Sequence, residues 1–171
     1  MLATAMLTTA CGIIAAQFHH QLGVAPILGA ILCAACFLRP KDLFIVGIGG
    51  MLLRDLLMGF SAFTAVRVAA IALVVLAFVL LKVRPNLRSL VTGLLVSAPI
   101  FHISLAVGDW ATGTCGSYSH TPAGLKTAIV SSLPYVQRSL LGDFLFTALF
   151  LGAYSLAAYS WTWSKSIRST T

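Results

Sequence analysis

The chain has 171 residues, 59% of them hydrophobic and 9% charged, with eleven Lys or Arg against four Asp and no Glu, for a net charge of +7. A soluble domain carries about 25% charged residues, and so few charged side chains cannot coat a core of this size, which excludes a globule surrounded by water. Long unbroken apolar runs such as Val68 to Leu81 exclude the alternating strands of a membrane β-barrel and point to helices, which satisfy their own backbone groups in hydrocarbon.

The expected architecture is all-α: a polytopic transmembrane helical bundle of six spans, with a short interfacial helix before the last, forming a single domain over residues 1–171. The first span runs from Leu2 to Phe18 and reads as retained, because it lacks the basic start and small-residue cleavage site of a signal peptide. The second, Pro26 to Leu38, opens on a proline at its first turn, where the missing N–H costs nothing. It is short against the roughly 20 residues of a full crossing, so shielding by neighbouring helices is expected. The third covers Leu43 to Gly59, the fourth Phe63 to Leu81, and the fifth Leu90 to Val107, with Pro99 expected to bend it. A Gly/Ser/Thr-rich stretch, Gly108 to His120, must be loop. Thr121 then offers an N-cap with Pro122 behind it, which predicts a short helix from Pro122 to Leu133, too short and polar to span. The sixth span is placed at Ser139 to Trp161.

Basic residues set the orientation. Arg39 and Lys41 fall between spans two and three, Lys82, Arg84 and Arg88 between four and five, and Lys165 and Arg168 after six. Six spans put all three groups on one side, which the positive-inside rule makes cytoplasmic, with both termini there and an inner, or plasma, membrane as the expected location. Topology therefore accounts for the positive charge, and no nucleic-acid partner is implied. Trp110, Trp161 and Trp163 fit interfacial belts. Cys33 and Cys36 form a C-x-x-C in mid-helix without His or a second pair, so neither a metal nor any other cofactor is expected.

Polar residues within the spans collect toward the extracytoplasmic side. At about 1.5 Å per residue, Asp55 lies about 18 Å along span three, past the midplane of a core about 30 Å thick. Arg67 sits about one turn inside span four, Asp109 closes span five with His102 about two turns beneath it, and Arg138 and Asp143 begin span six. Adjacent Arg54 and Asp55 should point about 100° apart, one inward and one snorkelling. A charge at the membrane centre costs at least about 2.5 to 3.5 kcal/mol, so such residues usually face a bundle interior or a wet cavity. The expectation is an outward-opening pocket lined by spans three to six and lidded by Gly108 to Gln137. Its candidate solute-binding residues are Asp55, Arg67, His102, Asp109, Trp110, His120, Arg138 and Asp143. The bland alternative makes Asp55 with Arg67, and Asp143 with Arg138, structural ion pairs, and His102 a hydrogen-bonding group between helices. His19 and His20 read as a solvated loop pair, and Gly12/Ala16 and Ala30/Ala34 as close-packing positions within the bundle.

Four strings carry a resemblance: VAPILGA at Val24 to Ala30, LLRDLLMG at Leu52 to Gly59, YSHTPAGL at Tyr118 to Leu125 and LPYVQRSLLGDFLFTAL at Leu133 to Leu149. They resemble an uncharacterised bacterial family classed with membrane transport proteins. That family is similar in turn to the six-helix substrate-binding components of energy-coupling factor transporters, through the glycines and Asp-Leu-Leu of Gly49 to Gly59. The resemblance implies capture of a small solute from outside, with small residues on the first helices meeting a transmembrane coupling subunit driven by separate ATPases. The chain has no phosphate-binding Gly-rich loop with Lys of its own. Metal-ion members of that group carry His directly after the initiator Met, where Leu2 stands here, which speaks against nickel or cobalt.

Two functions follow as expectations: solute capture for a transporter, or a structural or accessory subunit of a larger respiratory or photosynthetic membrane complex. An enzyme is not expected, because G-x-S-x-G, H-E-x-x-H and glutamate are all missing.

Overall fold

The computed structural model describes residues 2–22, 26–116 and 118–168, with side chains described over 2–17, 26–116 and 118–157. Trp161, Trp163, Lys165, Arg168, Val24, Ala25 and the side chains of His19 and His20, all part of the sequence reading, lie outside the described side chains. Six helices follow one another: α1 (Leu2–Leu22), α2 (Ile27–Phe37), α3 (Pro40–Met58), α4 (Thr64–Leu81), α5 (Leu87–Thr112) and α6 (Pro122–Arg168). The protein is all-helical among the described residues. Three helical stretches are long and apolar enough to cross a bilayer: Thr64–Leu81, Leu87–Thr112 and Pro122–Ala157.

Local chemistry explains most boundaries. Pro40 occupies the first turn of α3 after an extended Arg39, and α3 stops at Gly59, whose φ of 97° a side chain would oppose. Asn86 caps α5 by accepting from the Ser89 N–H at 2.8 Å. Gly113, at φ 62°, closes it. Thr121 caps α6 as expected, its hydroxyl accepting from the Gly124 N–H at 3.1 Å.

Two expectations are corrected. The interfacial helix and the last span are one element, since α6 runs unbroken for 47 residues through Pro134, a length of about 70 Å. Pro134 removes only one backbone bond. In the turn ahead of it Ser131 and Ser132 donate to the carbonyls of Ala128 (2.9 Å) and Ile129 (2.7 Å), so that turn has hydroxyl partners. Arg138 and Asp143 therefore do not begin a span; they lie in mid-helix, Asp143 about 31 Å from the start of α6. Likewise α1 continues to Leu22, so His19 and His20 stand on helical backbone rather than in a loop.

The short α2 is the centre of the bundle. Every residue from Ile27 to Ala34 is buried, and α2 touches each of the other five helices. A helix that is apolar all round belongs in such a place, and being wrapped by protein it need not match the bilayer thickness. Small residues let the helices close in. Gly12 packs on Leu53, Gly49 on Thr8 and Gly50 on Cys11, making α1 and α3 parallel neighbours, while Ala30 and Ala34 are fully buried. Gly29 packs on the backbone of Thr147, where an added Cβ would stand 2.9 Å from its nitrogen, and Phe37 stacks on Tyr154 at 4.3 Å. Those two contacts make α2 and α6 parallel and set Thr147 level with the first turn of α2, with Asp143 one helical turn ahead of it. Leu80, Leu141, Leu145 and Leu156 are each more than 60% exposed, an outward apolar surface compatible with a lipid environment.

Candidate functional site

Asp55 is buried to 1% exposure near the C-terminal end of α3 and is bound by two arginines. Arg54 Nη1 donates to Oδ1 at 2.6 Å. Arg67, one turn into α4, donates to Oδ2 from Nε at 3.0 Å and from Nη2 at 2.8 Å. The same Nη2 reaches the hydroxyls of Ser61 (2.9 Å) and Thr64 (3.1 Å), and the guanidinium lies over the Phe63 ring. The expected pairing of Asp55 with Arg67 is present. Arg54 departs from expectation: it does not point away from Asp55 but folds back onto it, and both are buried, because an arginine stem is long enough to return its head to the neighbouring carboxylate.

At the same end of the bundle α5 runs on to Thr112, so Gly108 to Thr112, expected as loop, are helical, and Asp109 and Trp110 in that last turn brace the link to α6 that carries His120. Asp109 Oδ1 accepts from the Cys115 N–H at 2.8 Å, and its carbonyl accepts from the Gly113 N–H at 2.8 Å. Trp110 Nε1 donates to the Thr121 carbonyl at 3.2 Å, and its ring lies 6.3 Å from that of His120. Gly113 leaves the room that His120 fills, since a Cβ there would stand 3.1 Å from Nε2. Tyr118 shares a 2.7 Å hydrogen bond with Ser131 of α6. The exposed Cys115 thiol is held above its ordinary pKa, by partial burial first and then by the Asp109 carboxylate.

Deeper in the bundle three polar groups, one on α5 and two on α6, are only partly satisfied. His102 stacks on Tyr135 of α6 at 6.4 Å and meets the edge of Phe101 at 5.3 Å, and its buried Nε2 has no hydrogen-bond partner. Asp143 is 0% exposed. Its Oδ2 accepts from the Ser139 hydroxyl at 2.6 Å, while Oδ1 has no partner. One turn on, the buried Thr147 hydroxyl against Gly29 is also without a partner. Arg138, expected beside Asp143, is exposed and makes no ion pair with it. Successive residues on a helix face different ways, and the buried stripe of α6 passes through 132, 136, 139, 143, 147 and 150 and leaves 138 out.

The eight candidate residues thus fall into three places: an ion cluster on α3 and α4, a braced turn, and a partly satisfied seam, with Arg138 outside all three. Sequence reading missed Ser139, Thr147 and Tyr135. The signal for two of them was present as hydroxyl, carboxyl and hydroxyl at i, i+4 and i+8, one face of one helix. Two well-formed cavities lie elsewhere. One, of about 290 Å³ and apolar, is walled by α1, α2 and α6 around Met6, Cys33, Phe37 and Tyr154; the other, of about 390 Å³, lies at the turn between α4 and α5. No group of three or more His, Cys, Asp or Glu is placed to hold a metal among the described residues.

No curated protein and no solved structure matches the chain. A membrane-compatible helical protein by its composition and its fold, the chain matches a family of unknown function, DUF6580, over residues 1–166, and it belongs to that family.

Proposed function

We propose that the chain is a non-enzymatic membrane protein that captures a small polar solute for a transport system, and that the seam of α5 and α6 forms the capture site. The observation that carries this reading is Asp143, a fully buried mid-helix carboxyl with one oxygen held by Ser139 and the other unpartnered. Roughly nine in ten buried polar atoms have a partner, and an ionisable group inside a membrane helix marks a pathway or ligand site by default. The open atoms of His102, level with Tyr135, and of Thr147 lie on either side of Asp143 along the axis of α6. A solute with donors and acceptors would satisfy them, with Trp110 and His120 at the entrance. The first turn of α2, level with Thr147, adds free N–H groups and the positive end of a helix dipole about one turn from Asp143.

In this reading Asp55, Arg54 and Arg67 brace α3 against α4, since each Asp55 oxygen is already bound by arginine. The likeness to energy-coupling factor binding components supports a coupling subunit and ATPases supplied by other chains. The basic residues gathered at the α2–α3 and α4–α5 turns support placing that end in the cytoplasm of a bacterial cell.

Native mass spectrometry of the protein released from detergent tests the reading. A reproducible small-molecule adduct is expected on the wild type and is expected to vanish in Asp143→Asn and in His102→Phe, with melting temperatures kept within a few degrees. The same adduct on all three proteins, or none on any, would remove the capture site from the seam.

A further inference from the structure

The turn between α4 and α5 lies at the opposite end of α5 from Asp109 and Trp110 and carries a cavity that the capture reading does not use. Its polar wall is Lys82, Arg84, Asn86, Arg88, Ser89 and Thr92. Three cations, from the C-cap of α4, the connection and the first turn of α5, line about 390 Å³ of space. Among the described residues no carboxylate pairs with Lys82, Arg84 or Arg88; the ion pairs join Arg39 to Asp42, and Arg54 and Arg67 to Asp55.

The turn is built rather than loose. Val83 is buried in the core cluster and pins the loop to the bundle. The Arg84 N–H donates to the Ser89 hydroxyl at 2.9 Å, the Ser89 N–H to Asn86 Oδ1 at 2.8 Å, and the Asn86 N–H to the Arg84 carbonyl at 2.8 Å. With its oxygen engaged, Asn86 keeps an amide NH2 for a ligand, at the N-terminus of α5 where the helix dipole favours anions.

Lys82 supplies an independent observation. It is the non-glycine described residue with positive φ, 48°, at the cap of α4. Glycine is the usual residue at such a cap, and a side chain in that conformation is strained. Setting membrane orientation requires a positive charge near the turn but not at this position, and Lys82 lines the cavity beside Arg84 and Arg88.

We infer that this cavity binds the phosphate of an anionic membrane phospholipid. The site lies at the ends of two apolar spans, where headgroups lie, and its cations, amide and hydroxyls match a phosphodiester. Leu81, an exposed residue of the cavity lining, offers the adjoining apolar surface to the glycerol and upper acyl chain.

The test is native mass spectrometry of the full-length protein in neutral detergent, with equal amounts of phosphatidylglycerol and phosphatidylcholine added and inorganic phosphate as a separate competitor. Preferential retention of phosphatidylglycerol is expected, with a loss of about fivefold for each cation removed. Lys82→Gly separates binding from architecture, because it should keep or raise the melting temperature while weakening retention. Should Lys82→Gly lose both, Arg84→Gln with Arg88→Gln decides, since both side chains are exposed and without an ion-pair partner; together they should cost about 25-fold. Equal retention of the two lipids, or variants that retain phosphatidylglycerol like the wild type, would overturn the inference. Full displacement by millimolar inorganic phosphate would overturn it as well, by assigning the cavity to a soluble anion.

Discussion

Asp55 and Asp143 are equally buried, at 1% and 0% exposure, in the same apolar bundle, yet their surroundings are opposite. Asp55 faces two guanidinium groups that bind both its oxygens, one of them from the next helix. Asp143 faces one serine hydroxyl from its own helix and keeps an oxygen open. Burial alone therefore does not tell a brace from a site. What separates them is whether the protein has already satisfied the hydrogen-bonding capacity that burial makes expensive to leave open.

The contrast breaks most visibly at Asp55. Replacing it with alanine leaves Arg54 and Arg67 facing each other without their counter-ion, and breaking a buried pair in this way costs about 3–5 kcal/mol. Thermal unfolding in detergent should show a large fall in melting temperature, partly restored by adding Arg67→Leu; an Asp55→Ala protein as stable as wild type would return Asp55 to the list of ligand groups. The next largest effect is expected at Gly29. A methyl group there would press on the Thr147 backbone, and overpacking of this kind costs about 1–3 kcal/mol, so Gly29→Ala should destabilise the protein and loosen the α2 contact beside Asp143. Asp143→Asn should change stability by less than about 1 kcal/mol, because the new amide still accepts from Ser139 and loses no cation. A fall of several kcal/mol would make Asp143 a brace like Asp55 and end the distinction.

The smallest effect concerns the turn. A thiol pKa held above the ordinary value lowers the thiolate fraction below and around that value, so Cys115 should react with maleimide more slowly than a free thiol at pH 8, the gap closing as pH rises through the shifted pKa. Asp109→Asn should speed the reaction at pH 8 by removing a charge that disfavours the thiolate, while its amide oxygen can still accept from the Cys115 N–H. An unchanged rate would separate Asp109 from the turn.

Much of the bundle was legible because it depends on local quantities. Apolar length marked α4 and α5, Thr121 and Pro122 marked the start of α6, and the glycines and alanines of α1 and α2 marked close packing. The expected break between residues 133 and 139, read from the shortness and polarity of the first segment, is absent, and α6 runs through it and through Pro134. A proline removes one hydrogen bond, and a helix packed along its length against α5 and α2 tolerates that loss.

Sequence by itself determined that the chain is helical, that its solvent is largely lipid, and that its few ions need partners, because those facts follow from composition and from the period of a single helix. Only the tertiary structure decided which ions have partners. Arg54 reaches its own neighbour, Arg67 arrives from the next helix, and Arg138 turns outward from Asp143; these outcomes depend on which faces meet when the helices pack, and a face that is equally apolar on several sides does not announce its neighbour.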